Sequence, residues 1–164
     1  MSDFDKAVEI LLKDESGGYV ENDHGRGPSK WGVTLLTAQK IHPEWAAGDI
    51  KNLNRDDAKQ FYKDWLWDHY HIGLLEDQSV ASKIFDIAAN IGPVTCIMIL
   101  QHAVHVEPAD GILGQQTALQ VNTEDPTQVL IAFKSAGKLH YQRIAAANPE
   151  LAVDLPGWIA RIEA

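Results

Sequence analysis

One cysteine is too few for a disulfide or a zinc-finger site, and Cys96 lies in the apolar run Val94 to Leu100, where a buried, unreactive thiol is expected. No apolar stretch approaches the roughly 20 residues that cross a bilayer, so stable membrane insertion is not expected. The opening Met1-Ser2-Asp3-Phe4-Asp5 has neither the basic flank nor the apolar core of a secretory signal, and export would need another route. Cations are scarce: 14 Lys and Arg face 23 Asp and Glu, a net charge of −9. None lies between Lys83 and Lys134, a window that holds Asp86, Glu107, Asp110, Glu124 and Asp125. A nucleic-acid partner, which requires clustered cations, is therefore not expected. Period-two alternation is almost absent, and there is no linker, repeat or low-complexity segment.

What is present is a soluble-type composition, 45% hydrophobic and 23% charged, in a 164-residue chain long enough for one cored domain or a domain with a small second lobe. Helical stripes recur, which makes the chain mainly α. Phe4, Ala7, Val8, Leu11 and Leu12 mark a first helix. Thr34 can cap a short helix from Leu35 to Ile41, ended by His42-Pro43. Asn54, with Asp57 three residues on, starts a helix to about Ile72 whose stripe is Ala58, Phe61, Tyr62, Trp65, Leu66 and His69. Trp67, Tyr70 and His71 fall off that stripe and are either covered by another element or exposed for binding. Ser79 can cap the next helix, striped by Val80, Ile84, Ile87, Ala88 and Ile91 and broken at Gly92-Pro93. Val94 to Val104, apolar almost all round, predicts a central core helix. Asp125-Pro126 opens a long helix through Tyr141 and Ile144 that Asn148-Pro149 ends, and the tail from Leu155 to Ile162 predicts an apolar anchor folded onto the body.

The first helix ends in chemistry. Its apolar stripe, continued by one turn, lands on Glu15, where the chain enters a polar loop rich in glycine, with Gly17, Gly18, Gly25, Gly27 and Gly32. Partial burial disfavours a carboxylate, so an acid there is a candidate proton donor to a leaving oxygen, as a glycosidase requires, although a glutamate at a helix end can also turn outward. Glu21, in the same loop, reads as a solvated charge. Asn90 shares a helix face with Lys83 and Asp86 that reads as solvated. No metal site is expected. His69 and His71 point to different sides of a helix, and His102 and His105 lie in an apolar helix without a nearby cysteine. Asp110-Gly111 reads as a turn because further oxygen ligands at alternating positions are missing.

Several blocks in order resemble the glycosyl hydrolase 108 family of phage-type muramidases. They are Glu15 with Gly17-Gly18-Tyr19, then Gly27-Pro28-Ser29-Lys30-Trp31-Gly32-Val33-Thr34, Phe85 to Gly92, Leu100-Gln101, Asp110 to Thr117, Tyr141 to Ala145 with Asn148-Pro149, and Gly157-Trp158. The resemblance implies a lysozyme-like helical fold with a glycine-rich active-site loop. Residues 1–78 would form the catalytic lobe, and residues 79–164 a helical peptidoglycan-binding lobe packed with it as one unit. It implies that Glu15 protonates the glycosidic oxygen between N-acetylmuramic acid and N-acetylglucosamine. Asp23 would act as base and Ser29, in place of the usual threonine, would orient the water. Gly18, Tyr19, His24, Trp31, Thr34 and Asn90 would contact the sugars, with no cofactor. Ser16 stands between Glu15 and the Gly-Gly pair, and counting places His24 nearer the family's aspartate position than Asp23.

The activity so implied is a monomeric peptidoglycan N-acetylmuramidase. A lytic transglycosylase follows if Asp23 points away from the substrate, and a wall-binding module follows if catalysis is lost. The expected setting is the bacterial cytoplasm, with action on the cell wall after release. A phage lysin would depend on a holin, and a secreted effector would have an immunity protein as partner.

Overall fold

The computed structural model describes residues 1–15 and 17–164; the Ser16 that interrupts the family motif lies outside the described residues. Helix α1 (Phe4–Asp14) starts where the Asp3 carboxylate accepts the backbone N–H groups of Asp5 and Lys6. Ala7, Val8, Leu11 and Leu12 are buried, as their spacing predicts. This helix packs against α5 (Gln78–Ile91), and their first turns are tied by reciprocal bonds: Asp3 N–H donates to Gln78 Oε1 at 2.7 Å, and Gln78 Nε2 to Asp3 O at 3.0 Å.

Between them lie the short elements. Strands β1 (Ser29–Lys30) and β2 (Val33–Thr34) pair antiparallel, Ser29 opposite Thr34, across a turn in which both Trp31 and Gly32 have positive φ. Thr34 caps α2, as predicted, but the helix proper covers only Leu35–Ala38. Helix α3 (Ala47–Asn52) has no counterpart in the sequence reading. Helix α4 (Arg55–Tyr62) begins with the predicted Asn54 cap, completed by Asp57 as a capping box.

Beyond Tyr62 the prediction needs correcting. Lys63–Asp68 form a π-helical turn, which holds more residues per turn and so rotates the following side chains out of the 3.6-residue register. Trp67, off the predicted stripe, is thereby buried edge-on against Phe4 and Phe85, with ring centroids 5.6 and 5.7 Å away. His69, on the predicted stripe, is exposed. At α5 the cap is Asp77, just ahead of the expected Ser79. Its carboxylate accepts the N–H groups of Ser79 and Val80 and the Ser79 hydroxyl.

Gly92, at φ 92°, closes α5 and lets Pro93 open α6 (Pro93–Ala103) at once. Cys96, Ile97 and Leu100 are fully buried, and burial pushes the Cys96 thiol far up from its ordinary range. The helix is not buried all round, however. It packs against α5 on one side and α8 (Pro126–Ala147) on another, which leaves Val94 and Met98 exposed. Asp125 caps α8, and α7 (Gln115–Thr123), also unforeseen, precedes it. Helix α9 (Leu155–Glu163) folds back on α8 as the tail predicts. Ile162 is fully buried and lies where a Cβ on Gly137 would stand 2.8 Å from its Cδ1. One buried apolar cluster runs from Ala7 of α1 to Ile162 of α9. Among the described residues no helix is long and apolar enough to cross a membrane.

The Asp110-Gly111 turn is pinned by a buried amide. Gln101 Nε2 donates to Asp110 Oδ1 at 2.8 Å and to Thr117 Oγ1 at 3.1 Å, while its Oε1 accepts the Gly111 N–H at 2.8 Å. Gln101→Leu removes these bonds and takes the acceptor from the buried Gly111 N–H, and is expected to lower stability by about 1 to 3 kcal/mol in urea unfolding.

Candidate active site

Helical geometry stops at Glu15, whose backbone is extended, so the side chain projects beyond the end of α1. Its side chain is three-quarters buried, 24% exposed. Two neighbours define it. Oε1 receives Arg161 Nη1 from α9 at 3.1 Å, and the other side of the carboxyl lies against the Cα of Gly32. A Cβ on Gly32 would stand 2.9 Å from Glu15 Cδ and 2.7 Å from the Tyr62 hydroxyl oxygen, so the approach needs a residue without a side chain.

Arg161 does not serve Glu15 alone. Its Nε and Nη2 donate to Asp86 Oδ1 at 3.1 and 2.8 Å, and Asp86, on α5, is 4% exposed. Lys83 Nζ approaches the other Asp86 oxygen at 4.0 Å and donates to the Arg161 carbonyl at 3.1 Å. Burial works against the guanidinium charge, but Asp86 and then Glu15 outweigh it and hold Arg161 above the usual arginine range. Tyr62 beside them is pushed well above the usual phenol range, by burial first and the Glu15 charge second. It stays protonated and donates to Trp31 O at 3.2 Å.

The opposite wall is the loop from Gly18 to Ser29. His24, Gly25 and Gly27 all have positive φ, and Asn22 Oδ1 accepts the Gly25 N–H at 3.0 Å, which curls the loop back so that Val20 pairs with Ser29. Asp23 ends up with a quarter of its side chain exposed, accepting Arg26 Nη2 at 3.2 Å, with His24 Nε2 4.0 Å away. Glu15, Gly18, Val20, Asn22, Asp23, His24, Ser29 and Gly32 line a cleft of 530 Å³. A 190 Å³ recess shares Glu15 and Asp23 and adds Arg26, Thr34, Tyr62, Asn90 and Arg161. A 470 Å³ groove shares Asp23, His24, Arg26 and Asn90 and runs on to Tyr141 and Trp158, whose rings stack at 5.3 Å. Asp23 borders all three.

Of the residues predicted for the site, Glu15, Gly18, Asp23, His24 and Ser29 meet in the main cleft, and Thr34 and Asn90 border the adjoining recess. Thr34 Oγ1 also accepts the Thr37 N–H that caps α2. Tyr19 and Trp31 line none of these cavities and instead support the walls. The Tyr19 ring packs on the core beneath Lys51 Nζ at 5.7 Å, and the Trp31 ring lies where a Cβ on Gly17 would come within 2.5 Å. The expected solvated face of Lys83, Asp86 and Asn90 is a correction: it is covered by α8 and α9, with Tyr141 donating to Asn90 Oδ1 at 2.7 Å. Arg161, Asp86, Tyr62, Asn22, Arg26 and Trp158 were not foreseen as site residues. Only the Lys83/Asp86 spacing, beside a buried stripe, carried a local signal for one of them. Among the described residues no group of three or more His, Cys, Asp or Glu could hold a metal ion. An alanine at position 32, where φ is +75°, should displace the Glu15 carboxyl, as a crystal structure of the variant would show, and cost about 1 to 3 kcal/mol in unfolding.

A comparison with curated proteins returns no match. The solved structure of Brucella abortus SagA is similar over 98% of this chain and 89% of its own, with a TM-score of 0.82 at 23% identity, a likeness of fold. The family model for glycosyl hydrolase 108 matches residues 8–92, over half of the chain and including both Glu15 and the loop to Gly32. The protein therefore belongs to the glycosyl hydrolase 108 family, a glycosidase family, and has a mainly α, lysozyme-like fold.

Proposed function

We propose that the protein is a peptidoglycan N-acetylmuramidase that hydrolyses the β-1,4 bond between N-acetylmuramic acid and N-acetylglucosamine. The observation that carries this reading is the presence of two carboxyl groups, Glu15 and Asp23, on one open cleft of a size that admits sugar rings. Glu15 protonates the leaving glycosidic oxygen. Asp23, on the loop across the cleft, draws the proton from an attacking water that the Ser29 hydroxyl orients, so water adds at the anomeric carbon as the bond to the leaving oxygen breaks. His24 contacts the glycan in the cleft, Thr34 and Asn90 contact it in the adjoining recess, and Gly18 offers backbone without a side chain in the way.

Asp23 facing the cleft supports hydrolysis over a transglycosylase, in which the muramic acid's own hydroxyl attacks and no base from the loop is needed. The glycan strand is the partner in this reading. A holin-released lysin and a secreted effector with an immunity protein would both use the same chemistry. The protein acts on the wall as a monomer.

Mass spectrometry of the fragments released from purified peptidoglycan tests the proposal. Reducing muramic-acid ends are expected, whereas anhydro ends would replace it by a transglycosylase and an absence of fragments by a binding module. Glu15→Gln, nearly isosteric, is expected to lower the rate by about 10²-fold or more, and near-normal digestion by that variant would remove Glu15 as the acid. Asp23→Asn should abolish most hydrolysis, since water then lacks its base. Activity close to wild type would show that Asp23 is not the base.

A further inference from the structure

Arg161 lies 146 positions from Glu15 in the chain and outside the residues that match the family model. Its three donor nitrogens are all engaged, two on a single oxygen of Asp86 and one on Glu15. If the arginine only clamped α9 to α5, the bonds to Asp86 would suffice. The remaining edge of the guanidinium reaches Oε1 of Glu15, while Oε2 stands beside Gly32, which carries no Cβ and lines the main cleft together with Glu15; Glu15 and Arg161 also border the recess beside it.

We propose that Arg161 is a positioning residue for Glu15, itself held by Asp86, so that α9 completes the catalytic machinery. This rests on the muramidase reading, with Glu15 as the acid. The planar fork fixes Oε1 and leaves Oε2 to hold the proton and present it to the glycosidic oxygen. It also stabilises the carboxylate left behind once that proton has moved. Asp86 acts on the charge as well as on the geometry. Its buried negative charge faces the guanidinium at 2.8 Å, with Lys83 Nζ 4.0 Å from its other oxygen, so Arg161 reaches Glu15 as part of an ion cluster and not as a lone cation. Among the described residues, the other charged or titratable groups around Glu15 are Lys83 on α5, Tyr62 on α4, and Asp23, His24 and Arg26 on the loop.

The test is steady-state hydrolysis of soluble, uncrosslinked glycan strands as a function of pH, with folding checked by circular dichroism. Arg161→Lys keeps a charge but cannot span both carboxylates. The double variant Asp86→Asn/Arg161→Met removes the buried carboxylate and the guanidinium together, so that neither is left without the other. Both are expected to lose about 10²-fold in kcat with KM little changed, because the acid is misplaced while the sugar contacts remain. Asp86→Asn alone should in addition move the alkaline limb of the pH–rate profile to lower pH, because the guanidinium then faces Glu15 uncompensated. A clamp without a catalytic role would leave kcat and that limb unchanged in the folded variants, and that result would overturn the proposal. Wild-type protein that releases no fragments would instead sink the muramidase reading itself, and this inference with it.

Discussion

A carboxylate that is 4% exposed, Asp86, sets the terms for the site. A buried charge is tolerated only with a partner, and removing the partner of such a pair costs about 3 to 5 kcal/mol. Asp86 sits on α5, which packs on α1, and its main partner comes from α9, which packs on α8. Satisfying this one charge therefore draws α5 and α9 together behind the end of α1, where Glu15 emerges. The guanidinium that neutralises Asp86 then has one edge left over, and that edge meets Glu15. Stability and site geometry share the same three residues, Asp86, Arg161 and Glu15.

The other wall obeys a steric constraint. A carboxyl group packed onto a backbone requires that the backbone carry no Cβ, which Gly32 supplies at a φ that suits glycine. Gly17 does the same for the Trp31 ring. Among the described residues the indole N–H of Trp31, buried against the loop, has no hydrogen-bond partner. Around this rigid hairpin the loop from Gly18 to Gly27 makes its reversals at His24, Gly25 and Gly27, which aim Asp23 across the cleft at the end of α1. The glycines near Glu15 thus shape one wall and bring the two candidate carboxyl groups to a common space.

Much of this was legible in the sequence, for local reasons. Stripes marked α1, α4, α5 and α8, and caps marked α4 and α8, because the capping side chains lie two or three residues from the N–H groups they accept, and Gly92-Pro93 punctuates two helices by backbone geometry alone. Glu15 was found because it continues a stripe. Errors began where local rules lapse. The π-helical turn at 63–68 shifted the register, burying Trp67 and exposing His69, and no periodicity count anticipates an extra residue in a turn. Helices α3 and α7 are short and carry too few apolar residues to outvote their polar ones. The face of Lys83, Asp86 and Asn90 looked solvated because nothing nearby in the chain covers it. Its cover arrives from α8 and α9, and a pairing between residues 86 and 161 leaves no trace in spacing.

Helix α9 shows why the tail could be recognised as an anchor while its chemistry stayed hidden. Ile159 and Ile162, three apart, belong to the side that packs on the body, and Ile162 seats against Gly137 of α8. Trp158 and Arg161, also three apart, lie on the neighbouring side, which looks over the cleft: Arg161 borders the recess behind Glu15, and Trp158 stacks on Tyr141 in the groove beyond Asp23. The apolar pair was readable because burial follows a period. The other pair takes its meaning only from what stands opposite, which the chain supplies from α1, α5 and α8. Docking α9 by its apolar side presents the arginine to the recess and the tryptophan to the groove, so the same helix that closes the core also forms the far end of that groove.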